Sequence, residues 1–254
     1  MSAEEAEIAS EGAYLRFDCT DADPATVASA TDAARQAVER GECIVLPTDT
    51  VYGIGADAFD GYAVQRLLTA KSRGRDMPPP VLIAEANLIR VLAIDVPQEV
   101  KNLVAKHWPG PLTIICKAQP SLRLDLGDAE GTIALRVPDH ELTRTVLRQT
   151  GPMAVSSANI SGQPAAVTCD EAVAQLGEHV AVYLDGGPLT SGAGAPSTIV
   201  DFSQQDTGAV LRHGAISVDS LRETCPDLVD LVPADPDPEP ADMRPDPDPG
   251  SAGA

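Results

Sequence analysis

The chain has 254 residues, 43% of them hydrophobic, and a formal net charge of -20 at pH 7. That length and apolar content suit one sizeable domain with its own core, and the acidic balance argues against broad electrostatic binding to nucleic acid or an anionic membrane. No apolar run reaches the ~18 residues of a membrane span, and the acidic start MSAEEAEIASEG has no apolar signal region, so a cytoplasmic protein is expected. The cysteines at 19, 43, 116, 169 and 225 form no CxxC pair and are odd in number, which suggests neither a zinc site nor a disulfide framework.

Residues 1–12 are polar and acidic and are expected to be disordered. Ala25–Arg40 reads as a helix ended by Gly41. ECIVLP at 42–47 reads as a buried strand, and Asp60 can cap a helix running to about Lys71. PVLIA at 80–84, LTIICK at 112–117 and TIALRV at 132–137 are strand-like. Asp139 opens a helix to about Gln149, which Gly151 ends, and MAVSS at 153–157 is a strand running into a loop. Glu171–Leu176 is helical, followed by the strands VAVYLD, STIVDF and AVLRHG. Alternation of this kind predicts a single α/β domain, residues 13–224, around one twisted mixed sheet. From Cys225 onward the chain becomes PADPDPEPADMRPDPDPGSAGA. Alternating Pro and Asp cannot fill a helix or a central strand, so 225–254 is expected to be a disordered acidic tail.

Several polar segments interrupt this pattern. LPTDTVYGIGAD, from Leu46 to Asp57, follows a buried strand with hydroxyls, an aspartate and two glycines. It reads either as a turn with local caps at Thr48 and Asp49, or as a loop whose glycines let the backbone approach a ligand. Gly53 and Gly55 make only a lone GxG, and no P-loop motif is present. KSRGRD places Lys71, Arg73 and Arg75 at a helix end. They read as a cap favoured by the macrodipole or as a site for phosphates. In WPGPLT, Trp108 reads as a structural anchor, while Thr113 opens a strand. Arg136 lies in an apolar strand and calls for an anionic partner, as a salt bridge or as a ligand clamp. VSSANISG gathers Ser156, Ser157 and Asn159 after a strand. Neither GxSxG nor a His/Asp pairing supports a serine nucleophile there. Ser197 begins a late strand and Arg212 ends the last one. His107, His140 and His179 lack metal-ligand spacing, and no metal site is expected.

Taken in order, PTDTVYG, KxR, WPGPLT, R-V-P, S-S-A-N, P-S-T-I-V-D and R-x-G resemble the YrdC/Sua5 family over roughly residues 30–215. The resemblance is to its short form, without the extra C-terminal domain. It implies a YrdC-like fold with a concave, positively lined cavity and the activity of an L-threonylcarbamoyladenylate synthase, a nucleotidyltransferase. Such enzymes convert ATP, L-threonine and bicarbonate or CO2 to threonylcarbamoyl-AMP and pyrophosphate, for N6-threonylcarbamoyladenosine at position 37 of tRNA. By the same resemblance Lys71 and Arg73 hold ATP phosphates and carry the catalytic electrostatics. Thr48, Ser157 and Ser197 contact threonine. Arg75, Thr113, Arg136, Asn159 and Arg212 surround the nucleotide. Mg2+ is implied on the ATP phosphates. A downstream threonylcarbamoyl transferase complex is the implied partner, with tRNA met only indirectly. One departure is that KxR is followed here by GRDMPPPVLIAEA rather than P-x-D-N-P-L and a histidine. Two alternatives share the fold, an RNA-binding module and a carbamoyltransferase.

Overall fold

A computed structural model describes residues 14–189, 194–204 and 207–233. In chain order the elements are β1 Leu15–Asp18, α1 Pro24–Glu39, β2 Ile44–Leu46, β3 Gly53–Asp57, α2 Gly61–Ala70, β4 Val81–Leu82, α3 Ile89–Leu92, β5 Ala93–Ile94, α4 Gln98–His107, β6 Leu112–Ala118, β7 Thr132–Arg136, α5 Glu141–Thr150, β8 Met153–Ser157, α6 Cys169–Leu176, β9 Val182–Asp185, β10 Thr198–Asp201, β11 Ala209–Arg212, α7 Val218–Arg222 and β12 Val229–Asp230. All strands join one mixed sheet, in the order β1-β9-β2-β3-β8-β4-β7-β6-β10-β11-β12, with β5 beside the far end of β6. The expected α/β domain with a mixed sheet is what forms.

Side chains alternate between the two faces of a strand, and the core divides accordingly. Ile44, Leu46, Leu82, Met153, Val155, Val182 and Leu184 pack with Ala30, Ala34 and Ala37 of α1 and Val146 and Leu147 of α5. Their neighbours Val45, Val81, Ala154 and Tyr183 point the other way, into a larger cluster with Leu67 and Leu68 of α2, Leu103 of α4 and Leu176 of α6. The result is three layers, helices on both faces of the sheet.

Local chemistry sets the helix ends. Asp23 accepts from the Ala25 and Thr26 amides, Asp60 from Tyr62 N, and Thr168 from Glu171 N, each satisfying an orphan donor of a first turn. The start expected at Asp139 falls one residue later, with His140 at the cap and no side-chain capping bond. Asp139 is diverted: its amide donates to Asp49 and its carboxylate pairs with Arg144.

Two expectations are corrected. The glycine segment 53–57 is a central strand rather than a loop, antiparallel to both β2 and β8. A Cβ on Gly53 would sit 2.6 Å from Val155 Cγ1, and one on Gly55 2.9 Å from Met153 Cε. The glycines are there because side chains of β8 lie over them. Second, the acidic tail begins later than 225. Cys225 and Leu228 are buried, β12 pairs in parallel with β11, and Asp230 bonds His213 at 2.9 Å. The apolar pair Cys225 and Leu228 anchors this strip before the Pro-Asp repeat begins. The expectations for 1–12 and for 234–254 lie outside the described residues.

Candidate active site

Residues directly opposite each other on neighbouring strands share a face, and the sheet register sets these side by side. Gly53 faces Ser157 at one end of β3. Further along, Leu82 faces Met153 on one side and Arg136 on the other. Continuing the β6–β7 register past Ile114 and Leu135 brings Thr113 beside Arg136. Thr113 faces Ile199, and Ile199 faces Arg212. Of these, Gly53, Ser157, Leu82, Arg136, Thr113 and Arg212 line a cavity of about 280 Å³, completed by Thr48, Thr50 and Val51 from the loop after β2, by Arg73 and Pro80 after α2, and by Ser156, Pro196 and Ser197. Helices α1 and α5 pack on the β9–β4 part of that sheet face.

Three guanidiniums converge here. Arg136 is 6% exposed. It donates from Nε to Gly110 O at 3.0 Å, from Nη1 to Thr50 Oγ1 at 3.0 Å and from Nη2 to Asp49 Oδ1 at 2.6 Å. Burial lowers its pKa, and Asp49 opposes that shift. Arg73 Nη1 donates to Ser156 Oγ at 3.0 Å, while its buried Nε has no partner among the described residues. Arg212 stands at the cavity mouth, giving Nε and Nη2 to Ser197 O and a further bond to Ser197 Oγ at 3.0 Å. Its pKa is lowered by desolvation first and then by the charges of Arg136 and Arg73. The three groups are thus close enough to repel. Among the described residues neither Arg73 nor Arg212 forms an ion pair, so the cavity presents uncompensated positive charge suited to an anionic ligand.

Hydroxyls line the remainder. Thr113 Oγ1 and Ser197 Oγ are 2.8 Å apart. Thr48 Oγ1 donates to Val51 O at 2.6 Å and accepts from the amides of Thr50 and Val51. Tyr52, wholly buried, donates to Gly187 O at 2.7 Å and accepts from Gly186 N at 3.1 Å. It pins the 48–52 loop to the segment after β9.

Of the ten residues expected at the site, seven line the cavity: Thr48, Arg73, Thr113, Arg136, Ser157, Ser197 and Arg212. Three do not. Lys71, 2% exposed, points its ammonium at Ser157 O, at Asn159 O 2.7 Å away and at Asn159 Oδ1 3.3 Å away. Its three donors are spent on the loop behind the cavity wall, because three oxygens converge on it there. Asn159 is correspondingly occupied, its amide donating to Ile160 O and Gln163 O. Arg75 turns outward to Asp125 and Gln65. Thr50 and Asp49 were missed as site residues. The signal for Asp49 was the anion that a cation in a buried strand requires. Trp108 is the structural anchor expected of it, donating to Leu112 O at 2.7 Å.

A cavity lined by guanidiniums and hydroxyls on one face of a twisted mixed sheet defines an α/β protein with a site suited to anionic ligands. Known proteins fit that class. The Sua5_yciO_yrdC family model, described as telomere recombination, matches residues 36–214, and the chain belongs to the Sua5/YciO/YrdC family. A Mycobacterium tuberculosis protein provisionally named threonylcarbamoyl-AMP synthase is 50% identical over 207 residues, 82% of this chain and 93% of that one. Threonylcarbamoyl-AMP synthase of Bacillus subtilis is 35% identical over 188 residues, 72% of this chain and 53% of that one. Pyrococcus abyssi Sua5, solved in complex with L-threonine, matches with a TM-score of 0.76 at 28% identity, over 85% of this chain and 62% of that one.

Proposed function

We propose that this chain is an L-threonylcarbamoyladenylate synthase, a nucleotidyltransferase that joins L-threonine, bicarbonate or CO2, and ATP into threonylcarbamoyl-AMP with release of pyrophosphate. The observation that carries this is the pair Arg73 and Arg212, unpaired cations in a hydroxyl-lined cavity, in a chain 50% identical to a provisionally named synthase. The threonine amine adds to CO2, forming an N–C bond and losing a proton to solvent. The resulting N-carboxylate oxygen attacks the α-phosphorus of ATP, and the bond to the bridging oxygen of the β-phosphate breaks. A carboxylate nucleophile needs no base at that step, so the protein has to align reactants and stabilise charge. Arg73 and Arg212 face the phosphates in this scheme, and the hydroxyls of Thr113, Ser157 and Ser197 orient the polar ends.

Among the described residues the cavity lining has no carboxylate, which makes it a donor set for phosphate oxygens rather than a cage for a cation. Mg2+ is accordingly proposed to arrive on the triphosphate. The product is proposed to pass to a separate transferase that modifies tRNA, so that tRNA is met only indirectly. No described helix is long and apolar enough to cross a membrane, and a cytoplasmic location is proposed with these substrates. The test is mass spectrometry of the product formed from ATP, threonine and labelled bicarbonate. Threonylcarbamoyl-AMP carrying the label is expected, and pyrophosphate release indifferent to threonine overturns the assignment.

A further inference from the structure

Among the described residues only one of the three cavity guanidiniums is ion-paired. Asp49 Oδ1 accepts from Arg136 Nη2 at 2.6 Å and from Asp139 N at 3.0 Å, while Oδ2 is buried without a partner among the described residues. Both side chains are largely withdrawn from solvent, at 7% for Arg136 and 13% for Asp49. A buried pair of this kind is a poor source of stability, since desolvation offsets the attraction, and an orphaned anionic oxygen makes it poorer still. Its effect on the cavity is large. Without Asp49, three mutually repelling cations would face the phosphates. With it, the Arg136 charge is compensated and the group is held by Gly110 O and Thr50 Oγ1, Nη1 and Nη2 each making one hydrogen bond among the described residues.

We infer that Asp49 is a positioning residue that sets the anion affinity of the cavity: it converts Arg136 from a third phosphate-binding cation into an oriented donor whose charge is compensated, so that pyrophosphate can leave. Two cations then hold the triphosphate while Arg136 contributes direction rather than charge. The same clamp fixes the hydroxyls behind it. Thr50 Oγ1 accepts from Arg136, so its single hydrogen points to Thr48 Oγ1, 3.1 Å away, whose own hydrogen goes to Val51 O. The inference rests on the synthase assignment, because it names pyrophosphate as the leaving product.

The test uses the full chain and inorganic pyrophosphate, with titration calorimetry at several salt concentrations, steady-state kinetics and melting curves. Asp49→Asn keeps the acceptor and removes the charge. Pyrophosphate is expected to bind roughly tenfold tighter, the scale of one added charge a few ångström away in a partly solvated site. The gain should shrink with salt, with a lower KM for ATP and a lower kcat. The double variant Asp49→Asn with Arg136→Gln restores the net charge and is expected to return pyrophosphate affinity to the wild-type value. It also covers the case in which the single variant fails to fold. Unchanged or weaker pyrophosphate binding by Asp49→Asn overturns the inference, as does a large loss of affinity in the double variant, which would make Arg136 a third phosphate cation. Wild-type protein that binds no pyrophosphate at all overturns the synthase assignment instead.

Discussion

Lys71 Nζ lies 2.7 Å from the backbone oxygen of Asn159, and this contact makes the lysine part of the cavity wall rather than of its lining. Arg73, two residues on, faces the opposite way into the cavity. The two cations of one motif are therefore expected to behave differently when removed.

Lys71→Ala takes one donor from Ser157 O, which keeps the Asn159 amide, and leaves Asn159 O without a donor among the described residues; a buried orphan acceptor costs about 1–3 kcal/mol. Melting temperature and turnover are expected to fall together. Arg73→Ala orphans no carbonyl, and Arg212→Ala frees Ser197 O only beside an exposed position, where water can replace the guanidinium. Each is expected to melt near wild type while losing about 2–4 kcal/mol of transition-state stabilisation, the scale for an electrostatic contact in a preorganised site. Calorimetry beside steady-state kinetics separates the cases, and equal melting losses in all three variants would contradict the division.

The pH dependence of Lys71 has opposite signs for stability and activity. Burial first, and the Arg73 charge second, push its pKa from 10.5 down to about 8. Between those values the unfolded chain holds the proton and the folded one does not, so this group's contribution to stability rises with pH across that window and is flat below it. The neutral amine has one N–H fewer for the three oxygens around it, and the 157–159 loop loosens. Expected is a kcat/KM that falls above pH 8 while Lys71 adds no loss of melting temperature. A rate profile flat through the window would exclude this role.

Thr48 meets the cavity, but its hydroxyl hydrogen is already given to Val51 O and its oxygen receives two backbone amides. Thr48→Val is expected to raise KM for threonine and for ATP together and to cost about 1 kcal/mol of stability, the net worth of a typical hydrogen bond. Thr48→Ser keeps the bonds and should keep near-normal KM values. A rise confined to threonine would show the hydroxyl contacting that substrate directly.

The C-terminal boundary can be tested by two truncations. Ending the chain at Pro233 removes the Pro-Asp repeat, which offers no packed core, and should leave melting unchanged. Ending it at Thr224 removes buried Cys225 and Leu228 and the His213–Asp230 contact, and should lower melting by several degrees and loosen the strand that carries Arg212. Identical melting curves would mean that residues 225–233 contribute nothing.

Much of the fold was legible because its strands are unbroken apolar runs. IVL in β2, LTIIC in β6 and MAVSS in β8 are buried or nearly so on both faces, as their composition requires. β3 was hidden because glycine is the residue that argues against a strand, and only the β8 side chains lying over it explain it. α4 was passed over although Val100, Leu103 and Val104 carry the helical spacing, since charged residues dilute its pattern. The site was legible in its chemistry but not in its directions. Sequence marks 71, 73 and 75 as cations alike, whereas the direction of each side chain depends on what the fold places around it. The partner of Arg136 lies 87 residues away, beyond the reach of any local pattern.

The strand order governs how the protein can be made. β9 separates β1 from β2, and β8 separates β3 from β4. During synthesis β1 emerges early but has nothing to pair with until its neighbour is translated; Arg16 and Asp185, which bond across that seam, are 169 residues apart. At about 5–20 residues per second the wait is of the order of ten seconds. For that time β1 has no partner, whereas β2–β3, β5–β6, β6–β7 and β4–β7 can already pair, and two partial sheets wait for β8 to join β3 to β4. Closure comes late and all at once when β8 and then β9 slot in, a route expected of non-local pairing. Fusions or mutations that delay β9 should therefore lower soluble yield far more than they lower the stability of molecules that have already folded.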